Sequence, residues 1–256
     1  MTMKSTRSIQ LIVLGLVLVC TTALPTGASA ADGAGISDST VKILVERELA
    51  RRGLAKSGIE VEADDHIVTL SGTVSTLAER EKIERAAGGA YAVARVVNNL
   101  VIGSAGSDPE IAEAVRKSIV THPDYDVFDW IEGQVTNGVV TLSGSVREPW
   151  RKNDFEKRVM NIAGVAGIEN QIKALPLSNY DDQLRLRAAR IIYGSSTLNR
   201  YALGANPPIH VIVENGRVVL KGIVASKLDR QVAESLVRTN LLAFEVRNEL
   251  QIENAL

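Results

Sequence analysis

Three histidines, His66, His122 and His210, and two serines, Ser71 and Ser143, are the residues whose types could support catalysis in this 256-residue chain. A histidine beside a serine hydroxyl would make a nucleophile and its base, and a recurring pair would mark repeated chemistry. No such pair recurs. His66 reads as a turn residue, His122 as a helix-end residue and His210 as a strand residue, and no two share an equivalent position. Ser71 and Ser143 each lie in a Leu-Ser-Gly step with no Gly-x-Ser-x-Gly elbow around it, and the related third step carries Lys221 instead. Ala87-Gly88-Gly89-Ala90 falls at a helix end and reads as a cap rather than a phosphate loop. Metal-ligand spacings are missing as well. The expectation is a noncatalytic chain with no catalytic residue, no metal and no cofactor.

Binding is better represented than catalysis. Arg147-Glu-Pro-Trp150-Arg151-Lys152 places one large aromatic among three positive charges at the mouth of a helix. Tryptophan suits the water–bilayer boundary, and each Lys or Arg near anionic lipid is worth about 1 kcal/mol. The alternative is a half-buried tryptophan over a small core with solvated charges around it. Tyr125-Asp-Val-Phe-Asp-Trp130 is also aromatic, but Asp124, Asp126 and Asp129 surround it, so it reads as a strand start that packs inward. Arg185, Arg187, Arg190 and Arg200 make the third segment of the chain net +2, against −3 for the second. With 29 Lys+Arg against 30 Asp+Glu, the whole chain has a formal charge of −1. That balance argues against nucleic acid as a partner held by bulk attraction.

Residues 1–30 read as an export signal. Lys4 and Arg7 precede an apolar run from Ile9 to Cys20, and Ala28-Ser29-Ala30 supplies a small-residue cleavage site. An uncleaved anchor and lipidation at Cys20 are the alternatives, although the run is short against the ~20 residues of a membrane span and Val19 is an unusual residue before a lipidated cysteine. Each of the three readings takes the chain out of the cytoplasm, to a periplasmic or envelope location. Cys20 is the sole cysteine, which excludes a disulfide scaffold.

The elements that must position these residues are written three times. His66-Ile-Val-Thr-Leu-Ser-Gly-Thr-Val74 matches Gly138-Val-Val-Thr-Leu-Ser-Gly-Ser-Val146, and Arg217-Val-Val-Leu-Lys-Gly-Ile-Val224 is a looser copy. The closing glycines, Gly72, Gly144 and Gly222, are each followed 26 residues later by an asparagine: Asn98, Asn170 and Asn248. Such a repeat precedes all other fold reasoning. Val41, Leu44, Val45 and Leu49 form one helical face, and Ile111, Ala114, Val115 and Ile119 reproduce it. Leu184, Ala188, Ile191 and Ile192 do so approximately, and Asp108-Pro109 reads as a cap and first helical position.

Paired strands follow at Ile59–Glu62 with Ile67–Val74, Trp130–Val135 with Val139–Val146, and Ile209–Glu214 with Arg217–Val224. Asn137-Gly138 and Asn215-Gly216 are strong hairpin signals because both residues accept positive φ; the first copy has Asp64-Asp65 in its turn. Second helices are expected over Leu77–Ala87, Trp150–Ala163 and Leu228–Asn240, then a strand carrying the asparagine. The fold class is α+β: three tandem α-β-β-α-β modules over residues 37–103, 108–175 and 180–253, each with two helices on one face of a three-stranded mixed sheet. The shared glycine is expected where the second strand bends toward a helix and leaves no room for a side chain. An insertion from Gly194 to Pro208 should form a short helix or ordered loop.

An export signal, tandem α-β-β-α-β units and Asn-Gly-Val-Val-Thr-Leu-Ser-Gly followed 26 residues on by asparagine together resemble BON domains (bacterial OsmY and nodulation). The second unit is nearest to the family pattern. The first has Asp65-His66 in place of Asn-Gly, and the third has Lys221 for the serine and Leu242-Ala243 in place of Gly-Val. The resemblance implies an envelope protein that meets phospholipid surfaces or envelope proteins and supports membrane integrity or osmotic stress resistance. It supplies no catalytic residue. A soluble periplasmic chaperone, holding clients on sheet edges or apolar patches, is the alternative.

Overall fold

The computed structural model describes residues 35–103, 106–204 and 206–253; the leader expected over residues 1–30, including Cys20, lies outside them. The described residues from Ile36 onward form one compact unit. In the first module α1 (Asp38–Arg51) is followed by β1 (Ile59–Asp64), β2 (Ile67–Val74), α2 (Leu77–Gly88) and β3 (Arg95–Ile102). The second runs α3 (Asp108–Val120), β4 (Trp130–Thr136), β5 (Val139–Val146), α4 (Pro149–Val159), β6 (Gly167–Asn170) and β7 (Lys173–Ala174). The third runs α5 (Asn179–Tyr193), β8 (Ile209–Glu214), β9 (Arg217–Val224), α6 (Lys227–Asn240), β10 (Glu245–Asn248) and β11 (Gln251–Ile252). In each sheet the second strand is central, antiparallel to the first and parallel to the strand that comes after the second helix. The sheets are therefore mixed, as the sequence pattern requires. In the second and third modules the last strand is interrupted just past its asparagine.

Each module has its own, mostly aliphatic core. Val41, Val45 and Leu49 of α1 meet Val68, Leu70, Ile83 and Leu100. Ile111, Val115, Phe155 and Leu142 centre the second core, and Leu184, Ala188, Leu220 and Val237 the third. The inserted segment of the third module contains a short 3-10 helix, Asn199–Ala202.

Three features recur and explain the repeat. The first is the glycine, whose crowding comes from within the sheet and not from a helix. A Cβ on Gly144, at φ +109°, would lie 2.0 Å from the Trp130 carbonyl oxygen, and Gly72 and Gly222 meet Gly58 and Pro208 in the same way. The second is the asparagine: Asn170 donates to the Lys152 carbonyl at 3.0 Å and to Glu156 at 2.8 Å while accepting from the Ile172 amide. Asn98 with Glu84, and Asn248 with Glu234, repeat this tie between last strand and second helix.

The third is an aspartate in the first turn of each first helix. Asp38, Asp108 and Asp181 accept both amides of the hairpin turn opposite; for Asp181 these are Asn215 at 2.9 Å and Gly216 at 2.7 Å. The two amides hold the Asp38 carboxyl below the usual carboxylate range. Ser107, rather than Asp108, caps α3, which frees the Asp108 carboxylate for the turn. In the first module the turn residues are Asp65 and His66, both at positive φ; this pair takes the type I′ geometry that Asn-Gly takes in the others. Helix α4 ends at Val159, four residues before the expected Ala163, because the chain turns through Ile162 and Val165 toward Gly164, at φ +82°.

Candidate functional site

The residues suited to chemistry are kept apart. His66 Nδ1 meets the Ala92 carbonyl oxygen at 3.0 Å, His122 Nε2 meets Asp154 at 2.8 Å, and His210 lies between Tyr125 and Trp130, with ring centroids 5.3 and 5.1 Å away. None of them hydrogen-bonds to Ser71 or Ser143, which lie on β2 and β5. Among the described residues no cluster of three metal-ligating side chains forms, and no helix is long and apolar enough to cross a membrane.

The corner at the start of α4 is only partly as expected. Pro149 and Trp150 open the helix, and Trp150 is 51% exposed. Arg147 is half-buried, its guanidinium 3.3 Å from Glu148 and 5.7 Å from the Phe128 ring centre. Lys152 has no ion-pair partner among the described residues. Arg151, expected at the surface, is instead 6% exposed and turned inward, bonded to the fully buried Asp129 and, at 3.1 Å, to Asp126. Burial opposes the Arg151 charge, but the two carboxylates outweigh it and hold the guanidinium above its usual value. Two of the three acids around Tyr125–Trp130, Asp126 and Asp129, are thus the counter-charge of Arg151. Of the three cations read at this corner, one is consumed inside the domain and one is paired, so the corner offers a tryptophan and one free lysine.

A second apolar surface lies at the end of α6, where Leu241-Leu242-Ala243-Phe244 alternates. Leu241 enters the core, whereas Leu242 is 88% and Phe244 80% exposed. The Phe244 amide donates to the Gly216 carbonyl at 2.9 Å, and its ring lies over Gly216, where a Cβ would be 2.6 Å away. Tyr180, at the start of α5, flanks it at 6.4 Å and donates its hydroxyl to the Leu242 carbonyl at 2.8 Å. Arg217 and Arg247 border the tip and share Glu245, at 3.5 and 3.0 Å. Ala94 and Ala166 make the same hydrogen bond in the other modules, to His66 and Gly138. Only the third module puts a large ring there. The sequence signal was the loss of Gly-Val in favour of Leu242-Ala243.

With the three-module geometry in place, the family comparison decides the relationship: the profile of the BON domain matches residues 37–104, 107–176 and 196–254. The chain belongs to the BON domain family. The third BON match begins after α5, which nonetheless supplies that module's first helix. The chain is similar to Osmotically-inducible protein Y of Escherichia coli (strain K12), with 28% identity over 148 residues, spanning 54% of this chain and 73% of that protein. Among solved structures it is similar to the C-terminal domain of CdsD, the structural protein of the type III secretion system of Chlamydia trachomatis. That match has 14% identity and a TM-score of 0.25, covering 82% of this chain and 96% of that one. The PrgH periplasmic domain matches at 15% identity and a TM-score of 0.19, with 76% and 95% covered.

Proposed function

We propose that this BON protein is an exported, noncatalytic component of the cell envelope that docks on phospholipid surfaces and supports osmotic stress resistance. The exposed Leu242–Phe244 tip of the third module carries the reading: two large apolar side chains stand in water beside arginines, with Tyr180 at their base. Aromatic and aliphatic groups exposed together match the boundary between acyl chains and head groups, and the two arginines beside them share the single Glu245, which leaves one positive charge in excess. The corner formed by Trp150, Arg147 and Lys152 is a second, weaker contact, limited by the Arg147–Glu148 pair. The net charge of +2 on the third module favours anionic head groups. Similarity to an osmotically inducible protein supports the physiological setting, and the sequence of residues 1–30 supports export.

Co-sedimentation of residues 31–256 with liposomes of phosphatidylglycerol and phosphatidylcholine tests the proposal. The expected result is saturable binding that weakens with salt and with falling phosphatidylglycerol content. Absence of binding to the anionic liposomes would overturn it.

A further inference from the structure

Free sheet edges are templates for pairing with another chain, and proteins guard them with charge, bends or covering groups. The three modules guard the edge of their first strand differently. On β1 the exposed side chains are Glu60, Glu62 and Asp64, an acidic row. On β8 the edge is covered: Arg185, 2% exposed, donates to the Val213 carbonyl at 2.6 Å, Val211 donates to Val127 at 2.7 Å, and the Tyr193 hydroxyl caps Ile209. On β4 the buried Tyr125 hydroxyl meets the Ile131 main chain, and beyond Ile131 neither device is present. The strand's exposed side chains are Glu132, Gln134 and Thr136, a single charge among three.

The direction of the open groups on β4 follows from the ladder. Gly133 pairs with Leu142 and Val135 with Val140. Leu142 turns its carbonyl toward the last strand, where it accepts from Gln171 at 2.8 Å. In an antiparallel ladder a residue that faces away from its partner has that partner facing away in turn. Gly133 and Val135 therefore present amide and carbonyl outward, and neither has a hydrogen-bond partner on that side among the described residues. The opposite edge of the sheet is broken into β6 and β7.

This edge lies along a groove of about 860 Å³ between the second and third modules. Ala112 and Arg116 of α3 form one wall, Pro208 and Ile223 the other, and Ile131 and Gly133 lie between them. The groove continues a junction in which the two modules already share a main-chain bond, Val211 to Val127. We propose that the groove binds an extended peptide segment that adds as a strand to the free edge of β4, with apolar side chains against Ile131 and Ile223. Unpaired strand amides and carbonyls are complementary to another strand above all other partners. The site goes beyond the lipid-docking reading and does not depend on it.

The test uses a fluorescein-labelled peptide of alternating valine and threonine with a lysine at each end, and the same peptide N-methylated on the amides of one edge. Anisotropy titration without lipid should give saturable binding, and N-methylation should weaken it about tenfold or more, since main-chain hydrogen bonds are lost. Ala112→Arg narrows the groove from a helix that keeps its fold and should weaken binding to a similar degree with the melting temperature retained. Equal affinity for the N-methylated peptide, unchanged binding by Ala112→Arg, or no saturable binding to the unsubstituted protein would overturn the proposal. Vesicle binding is read separately, so failure here leaves the lipid reading standing.

Discussion

Replacing Leu242 and Phe244 together by serine should abolish most vesicle binding while leaving the fold intact. Both side chains are largely in water in the free protein, at 88% and 80% exposure, so almost all of their apolar area remains to be buried at a membrane. Full burial of a Leu or Phe side chain is worth about 1.5–3 kcal/mol. Taking the low end for each, because an interfacial tip enters lipid only partly, gives about 3 kcal/mol for the pair, or roughly a hundredfold in partition coefficient. Stability should hardly change: Leu241 in the core and the Phe244 amide bond to Gly216 are retained, and exposed substitutions usually stay within about 0.5 kcal/mol. Liposome titration by sedimentation, with thermal unfolding as the control, reads both quantities. Leu242→Ser alone separates insertion from any loosening of the Phe244–Tyr180 contact and should cost about half the logarithm of the double change. Partitioning of the double variant within about threefold of the parent, at unchanged melting temperature, would refute the assignment of the tip.

Gly144→Ala drives a Cβ to 2.0 Å from the Trp130 carbonyl oxygen at a φ of +109°; a loss of about 2–4 kcal/mol is expected, seen as a fall of about 8 °C or more in the melting of the second module. Asp181→Ala leaves two turn amides without their acceptor and should destabilise the third module by about 2–3 kcal/mol, with amide exchange rising first at Asn215 and Gly216. Burial holds the His210 imidazole pKa below its usual value, so the unfolded chain binds the proton more readily and stability falls as pH drops below about 6.5, by at most about 1.4 kcal/mol per pH unit. His210→Phe should flatten that slope in urea titrations between pH 7 and 5, and an unchanged slope would refute the assignment.

The hairpins, the helical faces and the glycine–asparagine spacing were legible in the sequence because each has a local physical cause. Asn-Gly sets a turn by its own φ preference, and a 3.6-residue period marks a buried helix face whatever lies opposite. The unread parts depend on partners distant in the chain. Arg151 looks like a surface cation beside Trp150, and only the fold brings Asp129, 22 residues earlier, against it. Arg185 looks like one of several helix arginines until Val213, 28 residues later, is seen beneath it. Some of what went unread had a local trace. A glutamate stands 14 residues before each landmark asparagine, and its recurrence at Glu84, Glu156 and Glu234 carries the tie that locks the last strand.

The positions on which the three modules agree are those that hold the scaffold: the crowded glycine, the asparagine–glutamate tie and the aspartate beneath the hairpin turn. The copies disagree both inside, as at the buried Arg151–Asp129 pair and at Arg185, and on their rims, where binding properties can differ. One hydrogen bond to the hairpin turn is made by Ala94, Ala166 and Phe244 in turn, so the backbone is indifferent to the side chain and only the third copy uses the site to display an aromatic ring. The free edge of the first strand is guarded by acids in one copy, sealed by Arg185 in another and bare along a groove in the middle one. A tandem of modules allows this division because a change on one copy's rim leaves the other two cores untouched. The exposed tip lies on the third module and the open edge on the second, beside a groove that Pro208 and Ile223 of the third also line; on the two proposals, the chain rests on a surface through the tip while the β4 edge stays open to a strand.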